Sequence, residues 1–277
     1  MTIQAATLSP IEQTAFLTQY ARALDGRWPR PILGDTLAGE VVDCIDYDFA
    51  SLGVSASVVC QTALRAKMLD ERVRHFISEH FNAVIVDLGA GLDCGVYRVD
   101  PPPAVDWYSV DLPAIIALRD EVLPARRGSH SVGVSLADER WPETIPADRP
   151  TMLIADGLLA FLSESVIVDL FRRSTDYFGT GELAFNDYGR IGWVSRVALK
   201  FFPQKMFKDV GSQWGYPGFK DAHHPETWSP RLRLVEEASL TKAPEVDLFP
   251  AGIRFATRLS GMSKTGARKA RILRYRF

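Results

Sequence analysis

Residues 84–93 read Val-Ile-Val-Asp-Leu-Gly-Ala-Gly-Leu-Asp, an apolar strand that runs into an acid and then into a Gly-Ala-Gly turn. Such a segment folds well in only one setting, a buried strand ending on a tight turn at the rim of a sheet. Glycine takes the backbone angles of that turn at little cost and lets the main chain approach a ligand closely. A second apolar run, Val105-Asp106-Trp107-Tyr108-Ser109-Val110, leads straight into Asp111. Strand, glycine turn, helix, strand and acid is the order in which an α/β sheet holds an adenosine, with the acid accepting the two ribose hydroxyls. A nucleoside cofactor is therefore the first expectation.

Strands and helices alternate from there. Strand candidates are 83–88, 105–110, 130–134, 151–155 and 182–187, with helices opening at Pro113 and Ser163. This alternation predicts a mostly parallel sheet covered by helices on both faces. Upstream, Ser9 and Glu12 form a capping-box pattern for a helix running to about Leu24. Residues 26–36 are a Gly/Pro loop. A long helix over 54–80 carries Val59, Ala63, Ala66, Val73 and Phe76 at helical spacing, with Arg65 on the border of the stripe. After the fifth strand the pattern changes to an aromatic stretch, 188–230, and then to strands near 232–238 and 271–276 flanking a helix near 250–263. The expected fold is α/β and Rossmann-like, with seven strands in one domain. It divides into a helical cap (1–80), a cofactor-binding core (81–187), a lid insertion (188–230) and the last two strands with their helix (231–277).

Composition narrows the partners. A net charge of −2 gives no bulk attraction to nucleic acid or membrane. The last fourteen residues are locally basic (Lys264, Arg268, Lys269, Arg271, Arg274, Arg276), which reads first as a solvated face. No apolar run approaches the ~18 residues of a membrane span. The N-terminus lacks a basic start and an apolar core, so a cytoplasmic protein is expected. Cys44, Cys60 and Cys94 are odd in number and widely spaced, which suits free thiols rather than a disulfide frame or a metal site.

Two adenosine cofactors fit the architecture. A dinucleotide wants a third glycine beneath its pyrophosphate, but the pattern here is Gly89-x-Gly91-x-x-Cys94, with Gly95 one place late. Asp93 also puts negative charge where the pyrophosphate would sit. S-adenosylmethionine has no phosphate and carries two cations, which Asp87 and Asp93 favour. Spacing alone prefers the methyl donor and leaves NAD open.

Longer stretches carry more. Tyr20-Ala21-Arg22-Ala23-Leu24-Asp25, Arg30-Pro31-Ile32-Leu33-Gly34-Asp35, Arg65-Ala66-Lys67-Met68-Leu69-Asp70, Leu88-Gly89-Ala90-Gly91-Leu92-Asp93, Trp107-Tyr108-Ser109-Val110-Asp111-Leu112-Pro113 and Asp156-Gly157-Leu158 follow in order. In these the chain resembles the leucine carboxyl methyltransferase superfamily, in particular its bacterial tetracenomycin-type branch, over nearly its whole length. The resemblance implies a class I methyltransferase fold and an S-adenosylmethionine-dependent O-methyltransferase that releases S-adenosylhomocysteine. It implies that Arg65, with Arg22 as a second cation, holds the cofactor's carboxylate. Gly89, Ala90 and Gly91 then lie against the methionyl part, and Asp111 and Leu112 at the ribose. Leu136, Ala137 and Asp138 fall at the adenine, and Asp156 near the cofactor. The chain departs from the family where Asp156 replaces Glu and where Phe161 replaces Tyr.

Methyl transfer from a sulfonium is an in-line displacement that needs alignment and dryness. A carboxylate acceptor needs no base, whereas a phenol, pKa about 10, gains from one. The aromatic stretch suits a lid over a flat acceptor or, equally, a packed peripheral subdomain. His223 and His224 within it are the general-base candidates, against the ordinary reading of exposed loop histidines. Tyr20, Phe161, Asn186, Tyr188 and Trp214 are the candidates to line the acceptor. The expected acceptor is a small polyketide-like phenol or carboxylate. A peptide or protein C-terminus, or a non-catalytic cofactor-binding member, stands as the alternative. Neither nucleic acid nor membrane is expected as a partner, and a homodimer is compatible with the sequence.

Overall fold

The computed structural model describes residues 3–4, 9, 12–188 and 215–277. A two-residue strand β1 (Ile3–Gln4) pairs with β2 (Ile45–Asp46). The main sheet holds β3 (Val84–Leu88), β4 (Asp106–Asp111), β5 (Ser129–Gly133), β6 (Thr151–Ala155), β7 (Gly181–Asp187), β8 (Arg233–Ser239) and β9 (Arg271–Arg276). Their order is β5-β4-β3-β6-β7-β9-β8. The first five neighbours are parallel, and β9 lies antiparallel between β7 and β8. All seven predicted strands are present, within a residue or two of their expected ends.

Both faces of the sheet are covered because its central strands are apolar on both sides. Every residue of β3 and of β6 is buried. Ile85, Trp107, Met152, Ala184 and Ile272 face the long helix α3 (Ala56–Glu79), reached after α1 (Thr14–Gly26) and α2 (Thr36–Cys44). On the opposite face Val84, Val86, Leu153, Leu183 and Phe185 pack with Ile167, Leu170 and Phe171 of a later helix, Glu164–Tyr177. The period of two along each strand sorts the side chains into these two clusters. The short α4 (Gly95–Val99) and α5 (Pro113–Val122) complete the crossovers, and the Glu164–Tyr177 helix is α6. Ser163 caps it and Ser55 caps α3, each accepting from a backbone N–H in the first turn.

The N-terminal region differs from expectation in two places. The Ser9–Glu12 pair is made, with Ser9 N–H donating to the Glu12 carboxylate at 2.7 Å, but the helix proper starts at Thr14. The Gly/Pro loop is followed by α2, which its sequence did not announce. Asp25, fully buried, organises that loop by accepting from the backbone N–H groups of Ile32, Leu33 and Gly34 at 2.8, 2.9 and 3.0 Å. Asp35 then caps α2 by accepting from Ala38.

The C-terminal hairpin is held by charge. Arg271 is fully buried and donates to Asp187 at 2.8 Å, to Glu237 at 2.6 Å and to the Phe219 carbonyl at 2.7 Å. Arg274 bridges Glu182 and Glu236, and Arg276 also reaches Glu182. In the basic tail Arg271 and Arg274 are thus drawn into ion pairs of the sheet, while Lys264, Arg268, Lys269 and Arg276 are exposed, as a solvated face would be. In the aromatic stretch, Trp214 with Trp193, Phe201, Phe202 and Phe207 lies outside the described residues. The described remainder packs inward, Tyr216, Phe219 and Trp228 joining the Phe171–Phe185 cluster. Among the described residues no helix is long and apolar enough to cross a membrane.

Arg271→Met removes one partner of a pair whose other member, Asp187, is also buried. Breaking such a pair costs about 3–5 kcal/mol. Urea unfolding should show a loss of that size, and an unchanged midpoint would contradict the role assigned to Arg271.

Candidate functional site

The glycine turn sits at the carboxyl end of β3. Gly89 and Gly91 have φ of 66° and 52°, the left-handed region that costs other residues roughly 1–2 kcal/mol. A Cβ on Gly89 would come within 2.9 Å of a Leu158 methyl carbon. The turn therefore needs glycine both for its angles and for close packing. Its backbone is clamped from three sides. Gly89 and Ala90 donate to the Val110 carbonyl, Gly91 donates to Asp111 at 2.7 Å, and the buried Arg119 of α5 donates to the carbonyls of Gly91 and Asp93 at 3.1 and 2.7 Å.

Asp111 closes β4, as the spacing predicted. One carboxylate oxygen accepts from Gly91 and the other from Leu112, at 2.7 Å each. Burial pushes its pKa up, and the two backbone N–H groups work against that push. Each oxygen keeps a further lone pair with which to accept a ribose hydroxyl.

A second group of charges stands beside the turn. Asp156, just past β6, accepts from Arg65 at 2.5 Å and from Arg22 at 2.9 Å. Arg65 also donates to the Tyr188 hydroxyl at 2.8 Å and lies over its ring. Asn186 accepts from the Gly157 N–H at 2.5 Å and hydrogen-bonds Tyr188. A chain of polar contacts therefore runs from α1 through α3 to the ends of β6 and β7. Burial works against the Arg65 charge, but Asp156 and then Tyr188 raise its pKa. Burial raises the Tyr188 pKa as well, against the pull of Arg65, so the phenol stays protonated.

Asp93 is placed differently from its expected role. It pairs with Arg22 at 3.2 Å and with Arg98 at 2.6 Å. Burial alone would raise its pKa, but the two guanidinium groups overcome it and hold the carboxyl below the usual range. Arg98, which the sequence reading passed over, also grips Asp35 at 2.6 Å and Asp70 at 2.8 Å. One side chain thus joins the start of α2, the middle of α3 and the glycine turn.

Asp87 remains the unbalanced acid. It is buried, and its Oδ2 has no hydrogen-bond partner among the described residues. Burial first, and the nearby Asp93 second, push its pKa well up, while Arg119 and Arg22 pull the other way. An orphaned buried carboxyl beside a positive-φ glycine turn fits a cationic ligand group. Arg65 and Arg22 fit its carboxylate, and Asp111 fits its sugar. The residues present therefore suit a zwitterionic sulfonium nucleoside.

The other candidates are more scattered. Tyr20 packs against Phe49 at 5.6 Å in the cap, and Phe161 is half-buried on a short turn after β6. Leu136 is buried under the sheet, Ala137 is exposed, and Asp138 caps the turn at Arg140. His223 is largely exposed and pairs with Glu226 at 3.1 Å, and His224 stands edge-on to Trp228. No described contact of either histidine reaches Asp87, Asp111, Asp156 or Arg65.

Comparison with known proteins bears on the family and the fold. Residues 15–175 match the leucine carboxyl methyltransferase family model. The chain is 34% identical over 237 residues to the tetracenomycin polyketide synthesis O-methyltransferase TcmP of Streptomyces glaucescens, covering 86% of each. It is 28% identical over 249 residues to the S-adenosyl-L-methionine-dependent methyltransferase dpfgK of Gibberella zeae, covering 83% and 82%. Among solved structures it shares its fold with the plantazolicin methyltransferase BpumL, crystallised with a triazolic desmethylPZN analog and SAH. There the TM-score is 0.51 at 10% identity, over 96% and 98% of the chains. A Thermobifida fusca protein described as a candidate methyltransferase gives 0.57 at 16% identity, over 92% and 93%.

Asp87 also makes a prediction about stability. As pH rises past the ordinary carboxyl pKa of about 3.9, the unfolded chain gains by ionising Asp87 while the folded chain does not. Folded stability is therefore lost up to the raised pKa. Asp87→Asn removes that loss, so its thermal midpoint should improve on the wild type by more at pH 8 than at pH 4. An equal difference at both pH values would contradict a raised Asp87 pKa.

Proposed function

Since the chain belongs to the leucine carboxyl methyltransferase family of S-adenosylmethionine-dependent enzymes, we propose that it methylates an oxygen of a small polyketide-like acceptor in the cytoplasm. The full-length relationship to a polyketide O-methyltransferase supports the acceptor class. When bound, S-adenosylmethionine supplies an electrophilic methyl group on a cationic sulfur. Arg65 and Arg22 hold its carboxylate, Asp87 faces its cations, and Asp111 takes the ribose hydroxyls. Gly89, Ala90 and Gly91 approach the methionyl chain, and Leu136 to Asp138 border the base.

One observation carries the reading of the nucleophile. What surrounds Asp156 at the ends of β6 and β7 is cationic or a hydrogen-bond donor: Arg65, the protonated Tyr188 and the Asn186 amide. Such a surround favours an oxygen that arrives already ionised, a carboxylate or an acidic phenol. A general base is then dispensable, and His223 and His224 stand as rim residues. Tyr188 and Asn186 orient the oxygen, while Tyr20 and Phe161 contribute apolar walls. Alignment of this kind is worth up to roughly 7–11 kcal/mol of barrier in ideal cases.

Arg65→Ala should weaken S-adenosylhomocysteine binding by about 2–5 kcal/mol in calorimetry, the cost of truncating one member of a buried charge pair. Unchanged affinity would remove Arg65 from the cofactor site. Incubated with methyl-labelled S-adenosylmethionine, the enzyme should methylate aromatic carboxylates at a rate nearly constant from pH 6 to 8. His223→Ala together with His224→Ala should leave that rate within about twofold. Preferential labelling of a peptide C-terminus, or a rate abolished by the histidine changes, would overturn the reading.

A further inference from the structure

We propose that a second cleft, between α3 and the C-terminal helix α7 (Ala251–Gly261), binds a small apolar acid of one or two rings. The cleft has a volume of about 400 Å³, and sites for small organic ligands run from about 300 to 1,000 Å³. Arg22, Arg65, Asp111 and Asp156 are absent from its lining, as is the glycine turn. The site is therefore independent of the methyl-donor pocket and of its reading.

Three observations point to a ligand of this kind. First, α7 buries none of its residues. It is tethered at its edge, where Arg258 reaches Asp247 at 3.1 Å and the Thr241 carbonyl at 3.5 Å, and Arg254 reaches the Asp247 carbonyl at 3.1 Å. Second, the wall that α7 presents to the cleft carries small residues four apart, Gly252, Ala256 and Ser260, beside Ile253 and Thr257. A Cβ on Gly252 would meet nothing within 4 Å. Opposite lie Leu64, Leu240 and Phe249, all buried side chains of the core. Protein interiors are close-packed, so a hollow with an apolar floor is kept open by this choice of side chains.

Third, the charge in the wall is of one sign. Lys269 lines the cleft and pairs with no carboxylate among the described residues. Lys264 of the basic tail is likewise in no described ion pair, whereas Arg268, Arg271, Arg274 and Arg276 are. An exposed ammonium at the edge of a cleft with an apolar floor, which Thr257 of α7 also lines, suits an aromatic carboxylate or sulfonate.

The test uses the full chain and 8-anilinonaphthalene-1-sulfonate, a two-ring apolar anion, followed by its fluorescence. The wild type should bind it at one site that saturating S-adenosylhomocysteine does not displace. Gly252→Trp and Ala256→Trp, which fill the cleft from α7, should each weaken binding at least tenfold. Lys269→Glu, an exposed change, should weaken it at least threefold. Leu259→Ser, on the outer face of α7, should leave it unchanged, and none of the four should alter S-adenosylhomocysteine affinity. The proposal fails if the folded tryptophan variants and Lys269→Glu bind as the wild type does. It fails equally if S-adenosylhomocysteine competes with the probe, or if Leu259→Ser abolishes binding.

Discussion

Four carboxylates gather where the parallel strands end, and none of them can be left there alone. Asp87, Asp93, Asp111 and Asp156 are wholly or largely out of water, where like charges repel far more strongly than in bulk solvent. The cations that meet them come from the helices, not from the strands. Arg22 comes from α1, Arg65 from α3, Arg98 from α4 and Arg119 from α5. Each helix is therefore held to the rim by a guanidinium as well as by apolar packing. The position of the cap and the shape of the glycine turn both follow from this neutralisation.

The same balance describes what the cleft accepts. Acid and guanidinium are nearly matched before any ligand arrives, with Asp156 held by both Arg22 and Arg65. A cofactor that brought only one sign of charge would upset that match. A zwitterion brings a carboxylate to the arginines and cations to Asp87 together, so the network exchanges partners rather than losing them. Asp111 stands apart because backbone N–H groups, not arginines, hold it. That suits a neutral sugar better than an ion.

The sheet was legible because its signals are local. The apolar runs of β3 and β6, the alternation of strands with helices, and the glycine turn before Asp111 reflect residues close in sequence. Arg65 and Arg22 came from resemblance, since nothing in helical spacing says which distant acid a guanidinium will meet. Arg98 and Arg119 escaped for the same reason: their partners are carboxylates and carbonyls fixed only by the tertiary fold. The helix Thr36–Cys44 was hidden by the Gly/Pro loop before it, whose order depends on the buried Asp25. His223 and His224 were singled out by residue type alone, and type does not say which way a loop turns its side chains.

The arginines of β9 also answer how a late strand finds its place. Strand pairing by backbone bonds is indifferent to sliding, since every offset offers N–H and C=O groups alike. On β9, a slide of one position would turn the Arg271 guanidinium away from Asp187 and Glu237 to the face of Ile85 and Ala184, and would move Ile272 into the opposite layer of Leu183 and Phe185. The charges thus act as a vernier, admitting a single alignment of the closing hairpin. Because Arg271 and Asp187 are both buried, salt screens this pair far less than a surface one, and the alignment holds across ionic strengths.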